Sequence, residues 1–416
     1  STAALETNRT KQNKCCKKLG FILLKFMSRL KYFIFCLFMG VAFSVQSQST
    51  DSIRFSLLTC APGTEIYSLF GHTAIRYENY TRRIDVVFNY GMFSFNTPNF
   101  IFRFVAGETD YQLGITPYSY FEAEYAMRGS SVYQQVLNLT QSEKERLLTI
   151  LENNYLPENR IYRYNYFYDN CTTRARDKIE ECIEGKVVYP DSLSGKSDRS
   201  IVHGFTAGSP WDEFGIDLCL GAEADKEINK RQQMFSPFYM KYYASNAYIV
   251  DAGGTRRPLI LDETKIVDVE PDEVQPGFVL SPLMCGALFL ALCVVMAWGQ
   301  WKTQRIWWGW DIVLYGLQGL AGCIIAFLFF FSVHPTVGSN WLLILFNPVP
   351  LLYLPFMVYK AVKRKKDYYH VGNMVYLTLF IALFPFLPQD FNLTVLPLAL
   401  GLLVNAASHV LVLNKK

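Results

Sequence analysis

Tyr166-Phe167-Tyr168-Asp169-Asn170-Cys171-Thr172-Thr173-Arg174-Ala175-Arg176-Asp177 is the stretch from which the chain is best read. An aromatic, strand-like run stops there at two residues suited to cap a helix, and a cysteine follows in the first helical turn. Asp169 or Asn170 can accept hydrogen bonds from the orphan amides of that turn. The positive end of a helix dipole favours thiolate over thiol, so a helix start is a place where a nucleophilic cysteine is made. Arg174, three residues on, shares a helical face with Cys171. The ordinary alternative is a small buried cysteine. A partner histidine decides between them.

Upstream, residues 53–58 have the pattern of a strand, ended by Cys60-Ala61-Pro62-Gly63. Phe70-Gly71-His72-Thr73-Ala74-Ile75-Arg76-Tyr77 alternates apolar and polar residues, 78–83 reads as a turn, and Ile84-Asp85-Val86-Val87-Phe88-Asn89-Tyr90 alternates again. This predicts a hairpin. With its turn centred near residues 80 and 81, antiparallel pairing sets His72 opposite Asn89; another centre would bring Asp85 or Tyr90 there instead. An amide or carboxylate beside an imidazole fixes its tautomer and ring orientation.

Residues 100–107 and 111–115 read as further strand, and 117–127 has helical composition. Thr140 with Glu143 forms a capping box ahead of a helix through Tyr155. The run 162–168 reads as a strand packed on both sides, with a substrate-facing wall of tyrosines as the other reading. The thiol helix extends to about Gly185, with Arg176 and Glu180 one turn apart, and helices are expected near 210–220 and after Asp225. Of Cys60, Cys171, Cys182 and Cys219, the pair Cys182 and Cys219 could join in an oxidising compartment and leave Cys171 free. The sequence leaves the connectivity open.

Composition sets the setting. The 416 residues are 51% hydrophobic, 16% aromatic and only 18% charged, too apolar for an ordinary soluble enzyme of that length. The net charge of +4 is modest, and its basic residues cluster at membrane edges, so nucleic acid is not an implied partner. After a basic stretch with Cys15 and Cys16, Met27-Ser28-Arg29-Leu30-Lys31 precedes an apolar run over 32–45 and then Gln46-Ser47-Gln48-Ser49. That is the order of a secretory signal, which makes 1–48 an upstream extension and signal peptide, with an uncleaved anchor as the alternative. No lipobox-type cysteine lies there, so the chain is not expected to be a lipoprotein itself.

Residues 49–275 then form the exported domain and 276–416 a membrane domain, with five apolar segments at about 277–298, 311–333, 341–359, 372–387 and 392–413. The loop 299–310 carries Lys302 and Arg305, the loop 360–370 carries Lys360, Lys363, Arg364, Lys365 and Lys366, and the tail carries Lys415 and Lys416. The alternate loops 334–340 and 388–391 carry neither Lys nor Arg. The positive-inside rule puts the first set in the cytoplasm and the 51–275 region outside. Trp298, Trp301, Trp307, Trp308 and Trp310 gather at the first inner loop as an aromatic belt. The outer loop His334-Pro335-Thr336-Val337-Gly338-Ser339-Asn340-Trp341 is either a turn with a Trp anchor or a headgroup or substrate site, and Asn347-Pro348 suggests a bent helix beside a cavity.

Taken together, Gly71-His72-Thr73-Ala74, Asn89-Tyr90-Gly91-Met92-Phe93, Phe104-Val105-Ala106-Gly107-Glu108-Thr109-Asp110-Tyr111 and Asp169-Asn170-Cys171-Thr172-Thr173-Arg174 resemble the exported domain of the Lnb-type lipoprotein N-acyltransferases. The His334 to Trp341 loop and Asn347-Pro348 are similar to that family's membrane domain. The likeness spans roughly 53–413 and leaves out the first 50 residues. It implies an α+β, permuted papain-like (NlpC/P60-like) domain with histidine before cysteine, followed by a helical membrane domain of five spans. The lecithin-retinol acyltransferase-like enzymes share that order. The implied chemistry has His72, oriented by Asn89, deprotonating Cys171, which takes an acyl chain from a phospholipid donor as a thioester. The chain then passes to the α-amine of a diacylglyceryl-cysteine at a lipoprotein N-terminus, with the Cys171 amide among the groups holding the oxyanion.

Asn170, Arg174, Tyr90, His334 and Asn340 are the expected supporting or substrate-binding residues; for Arg174 an ion pair with an acid such as Asp177 is the other reading. No cofactor and no metal is called for. The expected location is the bacterial inner membrane, multi-pass, in contact with its lipid, with the catalytic domain in the periplasm. The alternative function is a membrane-anchored NlpC/P60-like cysteine hydrolase, either a cell-wall peptidase or a phospholipase. A scaffold without activity is disfavoured by the His and Cys pair, and five spans favour a lipid-embedded substrate.

Overall fold

The computed structural model describes residues 53–93, 96, 98–269 and 280–413; the expected export segment, 1–48, lies outside them. The exported domain is built on strands β1 (Ile53–Cys60), β2 (His72–Asn79), β3 (Ile84–Met92), β4 (Asp110–Pro117), β5 (Val132–Leu137), β6 (Ile161–Arg163) and a late β10 (Ile260–Val267). These form one sheet in the order β10-β5-β1-β2-β3-β4-β6, with every neighbouring pair antiparallel. Strands β7 (Lys186–Val188), β8 (Tyr248–Val250) and β9 (Arg256–Pro258) make a second, smaller sheet.

Helices intervene at α1 (Phe100–Ala106), α2 (Tyr118–Met127), α3 (Gln141–Tyr155), α4 (Cys171–Cys182), α5 (Asp198–Thr206), α6 (Pro210–Cys219), α7 (Lys230–Gln233) and α8 (Pro237–Ser245). The central strands bury both faces because helices cover both. Phe55, Leu57, Ile75, Tyr77 and Phe88 pack against Leu147 and Leu151 of α3 and Ala175 and Ile179 of α4. On the other face Leu58, Ala74 and Val87 meet Phe121 and Tyr125 of α2. Each large side chain so buried contributes about 1.5–3 kcal/mol, which holds α4 against the sheet. The domain is therefore α+β, as expected.

Several local readings are corrected. The β2–β3 hairpin pairs Asn79 with Ile84 and Ile75 with Phe88, so its turn lies later than expected and Asn89 is not directly opposite His72. The shift is by two positions, and side chains alternate with a period of two, so the two residues keep the same face. Residues 100–106 are helix α1, not strand; a short apolar run does not distinguish the two by itself. The expected strand over 162–168 ends with β6 at Arg163, because Asn165 makes a tight turn, accepting hydrogen bonds from the amides of Phe167 and Tyr168.

Helix α4 stops at Cys182. Arg176 does not pair with Glu180; it holds Asp177 and the Arg231 carbonyl, while Glu180 is taken by Arg231 and Tyr189. Cys182 and Cys219 are free thiols, as are Cys60 and Cys171. The capping box of Thr140 with Glu143 is present.

Among the described residues, five helical segments are long and apolar enough to cross a membrane: Pro282–Thr303, Trp308–Phe331, Leu342–Val362, Tyr368–Phe386 and Val395–Leu413, the first to fifth spans below. The third is interrupted, with helix over Leu342–Leu345 and Val349–Val362. Asn347 bridges the gap, donating to the Ile344 carbonyl at 3.1 Å and accepting from the Val349 amide at 3.2 Å. Gly322 of the second span lets that gap come close: a Cβ there would lie 2.3 Å from the Asn347 carbonyl carbon.

The loops between the second and third and between the fourth and fifth spans both bond to the exported domain. Val333 and Ser332 bond the carbonyls of Ala106 and Val105, Thr336 accepts from the Gly221 amide, and Gln389 donates to Leu220 O. These are the loops without Lys or Arg. The domain thus sits on the side of the membrane opposite the basic loops, as the charge pattern expects.

Candidate active site

The thiol is made by the start of α4. Asn170 is its N-cap, with Oδ1 accepting from the amides of Thr172 at 2.8 Å and Thr173 at 2.9 Å, while the Asn170 backbone amide donates to the Thr173 hydroxyl oxygen. The Asn170 amide nitrogen donates to Tyr166 O and Phe235 O, so the cap is fastened from both sides. Asp169, the other candidate cap, instead holds Arg174 through a two-pronged ion pair of 2.6 and 2.8 Å. The Arg174 guanidinium lies 3.6 Å over the Tyr162 ring. Arg174 is thus an ion-paired residue, with Asp169 in place of the expected Asp177.

His72 opens β2, and its Nε2 lies 2.6 Å from Asn89 Oδ1. The amide oxygen can only accept, so Nε2 carries the proton and Nδ1 is left to the thiol. Of the side chains that act on the Cys171 thiol, the His72 imidazole favours the thiolate most, through charge and hydrogen bonding. Burial disfavours the thiolate, but the charge and hydrogen bond of His72, the Thr73 amide and the Thr172 hydroxyl outweigh it and draw the Cys171 thiol below its ordinary value. For His72 burial likewise opposes the charged form, and Cys171 and then Asn89 reverse it, so the imidazole is raised. Opposite shifts in two touching groups favour a thiolate–imidazolium pair.

Three features of this site were not singled out as site residues from sequence. Gly91 lies where the β3–β4 register is irregular, with φ +90°; a Cβ there would stand 3.7 Å from both Cys171 Cβ and His72 Cε1. Only glycine takes that conformation without strain, and its bareness leaves the space before the pair open. Thr73 and Thr172 link β2 to α4 by a hydroxyl contact of 3.0 Å. Tyr111 stacks on Tyr164 at 4.1 Å, and burial keeps both phenols protonated. The alternation pattern gave no sign of an irregular strand, and threonines or tyrosines at these places read as packing.

Other expected site residues lie elsewhere. Tyr90 is fully buried, and its hydroxyl donates to Asn154 of α3 at 2.6 Å, which makes it a core residue and not a substrate contact. His334 donates from Nε2 to the Phe104 carbonyl at 2.6 Å. Asn340 is buried between domain and membrane helices: its amide nitrogen donates to Leu218 O, and its Oδ1 accepts from the Leu342 amide and Gln389. Both are fasteners of the loop that docks on the domain.

Among the described residues one trio has metal-ligand geometry, His203, Glu213 and Asp217, with ligand atoms within 4.8 Å of one another. Arg199 already holds Asp217 Oδ1 at 2.6 Å, His203 bonds the same oxygen at 2.9 Å, and Thr206 bonds Glu213. A cation there would meet a buried guanidinium.

Comparison with known families gives two matches. Residues 42–192, which contain His72, Asn89 and Cys171, match the model of the Lnb N-terminal periplasmic domain. Residues 273–416, which contain all five spans, match the model of the Lnb transmembrane domain. No curated protein and no solved structure matches the chain.

Proposed function

The chain belongs to the Lnb family, carrying its periplasmic and transmembrane domains in order, and on that premise we propose that it is a lipoprotein N-acyltransferase of the bacterial inner membrane. The observation that carries the reading is the array of Cys171, His72 and Asn89 at a capped helix start, next to five spans.

The Cys171 thiolate attacks the carbonyl of a phospholipid acyl ester, with the Cys171 amide at the head of α4 among the donors to the oxyanion. The tetrahedral adduct collapses, the glycerol oxygen leaves with the proton from His72, and a lysophospholipid departs. The acyl chain now sits on Cys171 as a thioester. The α-amine of a diacylglyceryl-cysteine attacks that thioester, His72 Nδ1 takes the amine proton, and the thiolate leaves. The products are the N-acylated lipoprotein and the original ion pair, so no cofactor is consumed. Cys171 is only 9% exposed, which favours an amine delivered to the thioester over bulk water.

Mass spectrometry of lipoprotein N-termini tests the reading in cells with the protein, without it, and with Cys171→Ala. N-acylation is expected only with the unaltered chain. Near-normal N-acylation with Cys171→Ala would sink the mechanism. Release of free fatty acid from phospholipid, or cleavage of wall peptides, with no N-acylated product would give the cysteine hydrolase instead.

A further inference from the structure

Helix α1 is short, apolar and outward-facing. Ile101 is 78% exposed, Phe102 61% and Phe104 45%. Its one charged residue, Arg103, is turned back to Asp110 at 2.7 Å and to the Glu108 carbonyl. A bare apolar face of this kind is unusual on a surface bathed by water. The helix is moored to the outer end of the second span: the Val333 amide donates to Ala106 O at 2.9 Å, Ser332 Oγ to Val105 O at 2.8 Å, and Phe102 meets Phe327 at 5.5 Å between ring centroids. Phe330, Phe331 and Val333 beside it are 66%, 72% and 63% exposed, as lipid-facing residues of a span are. The apolar face of α1 therefore continues the lipid-facing surface of the second span.

From α1 a row of near-parallel rings runs inward. Phe104 stacks on Phe100 at 6.2 Å, Phe100 on Phe93 at 5.7 Å, Phe93 on Tyr111 at 4.9 Å and Tyr111 on Tyr164 at 4.1 Å. Tyr111 lies 4.0 Å from the point where Gly91 would carry a Cβ, and that point is 3.7 Å from Cys171 Cβ. The row thus begins at the membrane and ends at the thiol, and its first three members are phenylalanines, which offer nothing to a headgroup and an apolar surface to a hydrocarbon chain.

We propose that α1 lies in the leaflet on the domain's side and that the row Phe104, Phe100, Phe93 and Tyr111 is the path along which the donor phospholipid's acyl chain reaches Cys171. The proposal rests on the acyl-transfer reading. Its occupant is fixed by continuity: the exposed end adjoins lipid, the buried end adjoins the nucleophile, and an acyl ester has its hydrocarbon and its scissile carbonyl in that order.

The test uses the full chain in vesicles of phosphatidylethanolamine and phosphatidylglycerol, without lipoprotein acceptor, so that only the donor half-reaction runs. Acyl-Cys171 is followed by mass spectrometry, and the reaction of the same preparation with p-nitrophenyl butyrate in solution reports the thiol alone. In Ile101→Glu and Phe104→Ser the ratio of vesicle rate to soluble-ester rate should fall about tenfold, since a charged or polar group is strongly disfavoured where apolar surface meets lipid. Ile101→Ser, which removes apolar surface from an exposed position without adding charge, replaces the Glu variant if that one is poorly made.

An unchanged ratio would overturn the path, whether both rates persist or both fall. So would an unchanged donor half-reaction with slowed transfer to lipoprotein, which would assign the row to the acceptor's chains. If the unaltered protein forms no acyl-Cys171 from vesicles, the acyl-transfer reading fails first and the path falls with it.

Discussion

Asn89 Oδ1 can accept but never donate, and that sets the protonation of the pair. With Nε2 committed to Asn89, the second imidazole nitrogen is left for the thiol, and the opposite shifts of the two groups favour the proton on His72 over Cys171. The pH dependence has a definite sign. Alkylation of Cys171 by iodoacetamide, read by peptide mass, should rise with pH at a midpoint below the ordinary cysteine value of 9.0. In His72→Ala burial acts without its main opponent, so the midpoint should move upward, and an unmoved midpoint would mean the helix start alone makes the thiolate. Acyl transfer should instead be bell-shaped. It falls at low pH as the thiolate takes a proton, and at high pH as His72, above its ordinary 6.5, loses the proton that the leaving oxygen needs.

Helix α4 shows what sequence conveys at the scale of an element. Its capped start was legible because Asn-Cys-Thr-Thr is a local pattern whose hydrogen bonds close within four residues. The partnership of His72 with Asn89 was legible although the hairpin register was read two positions off, because a strand repeats every two residues and the error cancels. Helix α1 and the turn at Asn165 were not legible. A run of Phe, Ile and Val fits either period, and what makes 100–106 helical includes its mooring to a span more than two hundred residues away. Gly91 escaped for a similar reason, since an irregular strand leaves the alternation intact on both sides. The cap yields a prediction of its own. Asn170→Ala removes the acceptor of two buried amides and the donor to the Phe235 and Tyr166 carbonyls, the first buried and the second half-buried, so it should cost about 2 kcal/mol or more in thermal unfolding of the purified protein. Asn170→Asp keeps the acceptors and should lose less; equal losses would show that the bonds to Tyr166 O and Phe235 O matter more than the cap.

At the scale of the molecule, the domain and the spans are joined by a polar seam, and not only by the intervening chain. Arg199, 1% exposed, holds Asp217 and Asp225 at 2.6 Å each; those two carboxylates then receive Asn392 and the Asp390 amide from the loop between the fourth and fifth spans. Asn340 occupies the middle of the seam, and its partners belong to α6, the third span and Gln389. A plain anchor would need one span of ~20 residues and no such joint. If the joint holds Cys171 at the height of the lipid ester, loosening it should harm lipid chemistry more than thiol chemistry. Asn340→Ala leaves the half-buried Leu218 carbonyl and the buried Leu342 amide without that partner, a destabilisation on the order of 2 kcal/mol concentrated at the joint. The expected result is faster proteolysis between domain and spans and a several-fold drop in lipoprotein N-acylation, with the midpoint of Cys171 alkylation unmoved. The groups that lower that midpoint, His72, Thr73 and Thr172, lie outside the seam. Unaltered N-acylation in a variant whose joint has measurably loosened would reduce the five spans to an anchor and favour a substrate met in water.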